Sequence, residues 1–574
     1  MAKDATIKKG FVNVSHGQVH YRMAGSGPPV ILLHDSPRSS MLHVPLLKEL
    51  ADQFTAIAVD TPGYGSSTPL EPGRQLEIPD FGTALAETIA ALGIERCPVY
   101  GYHTSSKIAL AFAVKHPEHV SVAVLNGLSL PVGGAEPAFI ESYMRPFRIT
   151  DSGGYLAEEW TRVLDFQRWF PWFAKTKEAR LPHMGRDMEG LHQYGMDLFM
   201  AGPHFSDAYA AAMRFAALPF ISQLKTPTVI LAQQDDVLHA YLNALPNPLP
   251  AGVTKESLAV GAGVLRKRLR EILAQYSDAA GAASFTPPDP LKQMGPLKQT
   301  GKPGVLTCGY VNFPHGQVLV RRAGNAAAGR PIVFLSDLPG SSRQDADLLL
   351  ALAKDRPVYA IDLPGSGESS PLAQPTPQAY ADVIARTLES LDLKQVDLIA
   401  EGMSTPLAVC FAASHAGQVR AMILDAVTNA DIDLRTEMRI NYTPDLRPTR
   451  EGLHLHRAFH MLRDQEVQWP WYDESTPAIR KVTPRIRGER LHVRLVDTLK
   501  QYAAYGDAIH AALDIDMAAL LPAVGAKTLV CTVPDDVRYG MAAKTVSLLK
   551  SAATIVRPQN VPERAGVFLS ALAE

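Results

Sequence analysis

The chain has 574 residues, with 56 Lys plus Arg against 58 Asp plus Glu and a formal net charge of −2. Apolar residues make up 46% and charged residues 20%, the usage of a folded protein, which excludes a disordered, collagen-like or disulfide-scaffold chain. The even charge balance gives no electrostatic reason for a nucleic-acid or membrane-surface partner, and at roughly 150 residues per domain the length anticipates about four packed units.

The N-terminal stretch MAKDATIKKG carries charges with no apolar segment after it, so no signal peptide is expected. No apolar run reaches about 18 residues, so no membrane span is expected. Cys97, Cys308, Cys410 and Cys531 are far apart and show no CxxC spacing. They predict neither a zinc site nor a disulfide framework, and suit a reducing cytoplasm. Short aliphatic runs then follow one another: PPVILLH at 28–34, FTAIAVD at 54–60, CPVYG at 97–101, VSVAVLN at 120–126 and PTVILA at 227–232. Runs of this kind suit strands buried on both faces, as in a parallel sheet. Helical patterns at 81–94 and 107–116 separate them, which predicts a doubly wound α/β fold. About 100 mostly helical residues intervene between VSVAVLN and PTVILA and read as an inserted cap.

The same design returns in the second half. GFVNVSHGQV at 10–19 reappears as GYVNFPHGQV at 309–318, VDTPGYGSSTPL at 59–70 as IDLPGSGESSPL at 361–372, and TPTVILAQQDDV at 226–237 as AKTLVCTVPDDV at 526–537. Three ordered matches at an offset of 299 to 302 residues indicate two divergent copies of one large domain. The expected division is domain 1 at 1–276 with a cap at about 131–222, a Pro/Gly/Ser-rich linker at 277–306, and domain 2 at 307–574 with a cap at about 429–521.

The order strand, HDSP, strand, DTPGYG, helix, strand, tight turn, helix, cap, strand, Asp resembles the α/β-hydrolase superfamily, in particular its capped branch of epoxide hydrolases and haloalkane dehalogenases. The resemblance covers both halves. It implies a nucleophile on a strained strand-to-helix turn. In the first copy that turn is Gly101-Tyr102-His103-Thr104-Ser105, which puts His103 at the nucleophile position. In the second it is Ala400-Glu401-Gly402-Met403-Ser404, and Gly402 has no side chain, so this copy is expected to be degenerate. The family's acid falls on Asp236 and Asp536, with Asn126 and Asp425 at the alternative position. The family's late base histidine has no counterpart: no His occurs between His239 and His315, nor in 557–566. Both copies therefore depart from Ser-His-Asp.

In the first copy, Asp236 or His239 is expected to orient His103, which then serves as nucleophile or as general base. The oxyanion loop is His34-Asp35-Ser36-Pro37, with the amides of Ser36 and Thr104 as the implied donors and His34 as a possible catalytic assistant. Asp35 adds a negative charge there. Asp35, Tyr102, Trp172, His204 and His239 are the candidates for substrate contact, with Tyr143, Phe147, His183 and Phe205 as further cap residues. The aromatic-Pro-Trp-aromatic cluster is shared by both copies (170–173 and 469–472), which favours packing for Trp172. No metal site and no cofactor are expected. The anticipated activity is cleavage of a small, largely apolar ester, lactone or related carbonyl compound, acting on a small-molecule substrate with no nucleic acid and no membrane. The two hydrolase domains are expected to pair within the chain. A proton-transfer lyase or isomerase on the same site, and a non-catalytic ligand-binding protein, remain open as alternatives.

Overall fold

The computed structural model describes residues 5–70, 73–131, 133–181, 187–277, 306–314, 316–325, 328–534 and 536–573. Residues 278–305, which are all but the two ends of the linker expected at 277–306, lie outside these residues, as do His183 and His315. The first sheet is built from β1 (Lys8–Val14), β2 (Gly17–Ala24), β3 (Pro29–Leu33), β4 (Thr55–Val59), β5 (Cys97–Tyr102), β6 (Val120–Asn126), β7 (Thr228–Gln233) and β8 (Val253–Leu258). Their order across the sheet is β1-β2-β4-β3-β5-β6-β7-β8. The β1–β2 and β2–β4 pairs are antiparallel and the others parallel. Every residue of β3, β4 and β6 is buried, which is why their sequences run apolar without alternation.

A second sheet repeats this plan with β9 (Thr307–Phe313), β10 (Gly316–Ala323), β11 (Ile332–Leu335), β12 (Val358–Ile361), β13 (Val396–Glu401), β14 (Val419–Asp425), β15 (Lys527–Thr532) and β16 (Ala552–Val556). The order β16-β15-β14-β13-β11-β12-β10-β9 is that of the first sheet, strand for strand. The chain thus holds two mostly parallel eight-stranded α/β folds.

Chain contacts divide the molecule into one unit of Met1–Arg148 and Glu159–Gln293 and another of Ile149–Glu158 and Met294–Glu574. Ten residues of the first insertion therefore group with the second unit. Within that unit the Gly488 amide donates to Asp151 Oδ1 at 2.6 Å, and Tyr155 OH meets His492 Nδ1 at 2.8 Å. The helix expected at 81–94 starts earlier, at Ile78–Ala91. Pro79 suits its first turn, and Glu77 and Asp80 form a reciprocal capping box. Among the described residues no helix is long and apolar enough to cross a membrane. The cysteines are free, and three of the four are buried.

In the first sheet β3 lies between β4 and β5, so the connections leaving its neighbourhood run in opposite directions. In an open α/β sheet the crevice at the carboxyl ends of such strands is where ligands bind. His34 and Asp35 follow β3, and His103 follows β5.

Candidate active site

His103 sits between β5 and the helix Thr104–Lys115 with φ 47° and ψ −111°. A side-chain-bearing residue with positive φ costs about 1–3 kcal/mol and needs support from its surroundings. Here the His103 amide donates to the Asn126 carbonyl at 2.9 Å, and the Ser106 hydroxyl donates to the His103 carbonyl at 2.5 Å. Tyr102 stacks on the imidazole at 4.0 Å between centroids. Ser105 lies inside the helix, buried, its hydroxyl spent on the His34 carbonyl.

His103 Nε2 lies 2.8 Å from Asp236 Oδ2. Asp236 follows β7 and is fixed in turn by the Leu238 amide, which donates to Oδ1 at 2.8 Å. Burial opposes charge on the carboxyl group, but the hydrogen bond and charge of His103 hold its pKa below the ordinary value. An ionised Asp236 accepts, so Nε2 carries the proton and Nδ1 is left with the lone pair. No hydrogen bond to Nδ1 is made by the described residues. Burial pulls the His103 pKa down; the hydrogen bond to Asp236, its charge and that of Asp35 outweigh this and raise it above 6.5.

Gly127 makes this approach possible. Its φ is +65°, and a Cβ there would lie 2.3 Å from His103 Cδ2 and 2.8 Å from Nε2. Gly127→Ala should therefore push the ring off Asp236 and cost about 1 kcal/mol through the backbone alone. Its signature is a fall in the His103 pKa by NMR titration; an unchanged pKa would mean that the ring does not pass Gly127 to reach Asp236.

His34 is used differently. Its Nδ1 donates to the Asp35 carbonyl at 2.8 Å, and its Nε2 accepts from the Thr61 amide at 3.0 Å, so both nitrogens hold loop backbone. Asp35 Oδ1 is buried with no hydrogen-bond partner. Its charge reaches His103, Tyr100, Tyr143 and Tyr209. Tyr143 OH and Tyr209 OH, both from the insertion between β6 and β7, meet at 3.0 Å. The sequence marks Tyr143 as a cap residue but does not show its pairing with Tyr209, because 66 residues separate the two.

The insertion is tied to the loops after β3 and β4. Arg38 Nε and Ser39 Oγ donate to the two oxygens of Asp197 at 2.8 and 2.6 Å, and Tyr64 OH donates to the Phe205 carbonyl at 2.7 Å. Trp172 is buried, and its Nε1 donates to the Tyr143 carbonyl at 3.0 Å. Trp471 makes the matching bond to the Tyr442 carbonyl at 2.9 Å in the second unit. His204 pairs with Asp207 at 2.9 Å, and His239 with the Ser257 hydroxyl at 2.8 Å. The structure therefore brings His103, Asp236, Asp35 and Tyr102 together, while His34, Trp172, His204 and His239 each have other partners. Among the described residues one surface group, His116, Glu118 and His119, has donor atoms close enough to share a metal ion.

The second unit shows what the loop after the third strand can do. Asp337, which matches Asp35, extends its carboxylate onto two backbone amides: Leu338 N and Met403 N both donate to Oδ1 at 2.8 Å. The matching amides in the first unit are those of Ser36 and Thr104. Gly402 has φ +59°, and a Cβ there would lie 2.1 Å from Asp337 Oδ1. A side chain at the turn and a carboxylate on those amides exclude each other. In the first unit the turn residue is His103, and the Asp35 carboxylate has no such amide bond.

The family model for the alpha/beta hydrolase fold matches residues 28–238 and 330–512, one segment in each sheet-bearing unit. The chain belongs to the α/β-hydrolase fold family. It is 32% identical over 113 residues to haloalkane dehalogenase 2 of Mycobacterium bovis, covering 20% of this chain and 39% of the relative. It is 30% identical over 123 residues to an (E)-2-((N-methylformamido)methylene)succinate hydrolase of Acinetobacter baylyi, covering 21% and 46%. Over 96 residues it is 34% identical to a soluble epoxide hydrolase of a Corynebacterium, covering 17% and 33%. The chain thus spans less than half the length of these relatives. Among solved structures it is similar to an enol-lactonase of Burkholderia xenovorans at 17% identity and a TM-score of 0.36, covering 46% of this chain and 98% of that one. The two matched segments agree with a tandem duplication within the family.

Proposed function

We propose that the first unit is a cofactor-independent hydrolase of small, largely apolar esters, lactones or related carbonyl compounds, with His103 as general base and Asp236 as its orienting partner. The observation that carries this reading is the 2.8 Å bond from His103 Nε2 to Asp236 at a strained turn, which leaves the basic nitrogen unengaged. Nδ1 is bonded to Cγ, the ring carbon that carries Cβ, and this substituent crowds direct attack on a carbonyl carbon, whereas a water molecule spans the gap. Nδ1 takes a proton from that water as its oxygen bonds to the carbonyl carbon, and the carbonyl oxygen gains charge beside the Ser36 and Thr104 amides. The imidazolium, stabilised by Asp236, then returns the proton to the leaving oxygen as the carbon–oxygen bond breaks. Relatives named as hydrolases and a dehalogenase are consistent with bond cleavage at this site.

The pH dependence tests it. A base must be unprotonated, so wild-type hydrolysis of a panel of neutral esters and lactones should fall as pH drops through the raised His103 pKa. Asp236→Asn removes the two larger causes that raise that pKa and leaves burial, which lowers it, opposed only by the charge of Asp35. The acid limb of the variant should move to lower pH while its plateau drops on the order of 10- to 100-fold. An acid limb that stays in place in Asp236→Asn would remove His103 as the base.

One observation favours a second reading. The buried, unbonded oxygen of Asp35 adds negative charge beside the two amides, which opposes an oxyanion and suits proton transfer by His103 to and from carbon in a lyase or isomerase. Exchange of substrate C–H for deuterium in heavy water, without hydrolysis, would select this reading.

A further inference from the structure

The second unit contains a cavity of about 550 Å³ whose wall carries Arg480, Arg485, Arg487, Arg490, Arg557 and Arg564. The carboxylates in the same wall are Asp345, Asp347 and Glu466. Some of the charge is neutralised from behind. Arg557 donates to Glu401 Oε1 at 2.6 Å, Arg564 bonds Asp425, and Arg480 lies 3.6 Å from Asp536. The remaining balance is uneven. Glu466 faces Arg485 and Arg490, each at 3.5 Å, and Arg494 at 3.8 Å, and of these three only Arg485 has a second carboxylate in range, Glu401 at 3.6 Å. With Arg494 and Arg538 counted beside the six wall arginines, eight guanidinium groups stand against six carboxylates, namely Asp345, Asp347, Glu401, Asp425, Glu466 and Asp536.

Hydrogen bonding in the network is incomplete on both sides: Arg480 Nε, Arg490 Nη1, Arg494 Nε, Arg538 Nε and Arg564 Nε are enclosed without an acceptor, and Asp345 Oδ2, Glu401 Oε2, Asp425 Oδ1 and Asp536 Oδ2 without a donor. An enclosed, unsatisfied N–H of a charged group is costly, and Arg480 and Arg490 carry theirs in the cavity wall, where an anion could satisfy them. Burial and the neighbouring cations lower the pKa of Arg480 and of Arg490 to about 10. The wall also has amide donors in Gln559 and Asn560, and Arg485 and Arg487 lie at its more exposed side.

We propose that this cavity is a binding site for a small organic dianion, a dicarboxylate or a phosphate monoester, held by Arg485 and Arg490 and reached from the Arg487 side. Planar guanidinium groups donate in pairs to carboxylate and phosphate oxygens, and a surplus of two cations suits two negative charges. A volume of several hundred Å³ is that of a small-ligand site. The site is separate from the chemistry proposed at His103 and does not depend on it.

Calorimetric titration of the full chain with succinate and, separately, with inorganic phosphate tests the proposal, with dimethyl succinate and sodium chloride at matched ionic strength as controls. At least one of the two anions should bind saturably and both controls should not. Succinate alone identifies a dicarboxylate, and phosphate alone a phosphate ester. Arg485→Gln, at a half-exposed position, should weaken binding roughly tenfold. Glu466→Gln removes the competing carboxylate, so it should bind the anion more tightly, and its thermal midpoint should rise more than wild type on adding it. Binding of neither anion, or equal binding by wild type and both variants, would overturn the site. A Glu466→Gln protein destabilised with no rescue by either anion would do the same, leaving a purely structural ion network.

Discussion

His103→Gln should lower hydrolysis by on the order of 10²- to 10⁴-fold while the fold and the bond to position 236 are kept. Glutamine reaches nearly as far as histidine, and its amide N–H can donate to Asp236, but it cannot accept a proton near neutral pH. The turn is as strained for glutamine at φ 47° as for histidine, so the comparison isolates the proton. The effect should fall on kcat, with KM little changed, because the residue is asked to act only as charge develops. Urea unfolding should show a midpoint close to wild type, since a hydrogen bond to Asp236 survives. Full activity in this variant would end every catalytic role for His103.

Arg564→Ala should destabilise the protein by up to about 3–5 kcal/mol, the cost of taking from buried Asp425 the closer of its two cations, Arg557 at 3.3 Å being the other. Arg564 is 4% exposed, bonds Asp425 and lies 3.2 Å from Glu401, two carboxylates at the ends of β14 and β13. The guanidinium also covers the Phe568 ring at 5.3 Å. Adding Asp425→Leu to Arg564→Ala should recover part of the loss, because it removes the stranded charge. If the double variant is no more stable than the single one, lost packing rather than charge is the cause.

The same network predicts the direction of acid sensitivity. Burial opposes ionisation of Glu401 and Glu466, but the surrounding arginines hold both pKa values well below 4.5. Their contribution is complete above about pH 4.5 and is lost as pH falls toward the folded-state values. Asp345 has the opposite sign. Burial and the charge of Glu401 raise it to about 6, so its ionisation between about pH 4 and 6 opposes folding.

What the sequence discloses follows from how local the signal is. Buried strands such as PVILL at 29–33 are short and uniformly apolar, and each is recognisable by itself. Edge strands are not: β8 reads VTKESL, with three exposed positions, and neither its composition nor its period sets it apart from a loop. The pairing of His103 with Asp236 spans 133 residues, and only the family's strand order brings the two into one frame. The roles of His34 and Trp172 depend on backbone carbonyls and amides, which carry no residue signal. The arginine cluster is scattered between positions 480 and 564, with counter-charges as far away as 345 and 401, and no local pattern marks it. Asp337 illustrates the limit most clearly. Asp35 and Asp337 are the same residue type in matching loops, yet one rests on two amides and the other does not.

That difference makes the duplication directional. With Asp337 on the amides of Leu338 and Met403, the Cβ of a side chain at position 402 would lie 2.1 Å from its carboxylate, closer than any non-bonded contact. A substitution at Gly402 alone is therefore penalised by Asp337, and a change at Asp337 alone strips two amides of their acceptor. Each substitution is unfavourable until the other has occurred. The second copy is held in its present form by this two-site lock, which the first copy, with histidine at its turn and no amide bond to Asp35, does not have.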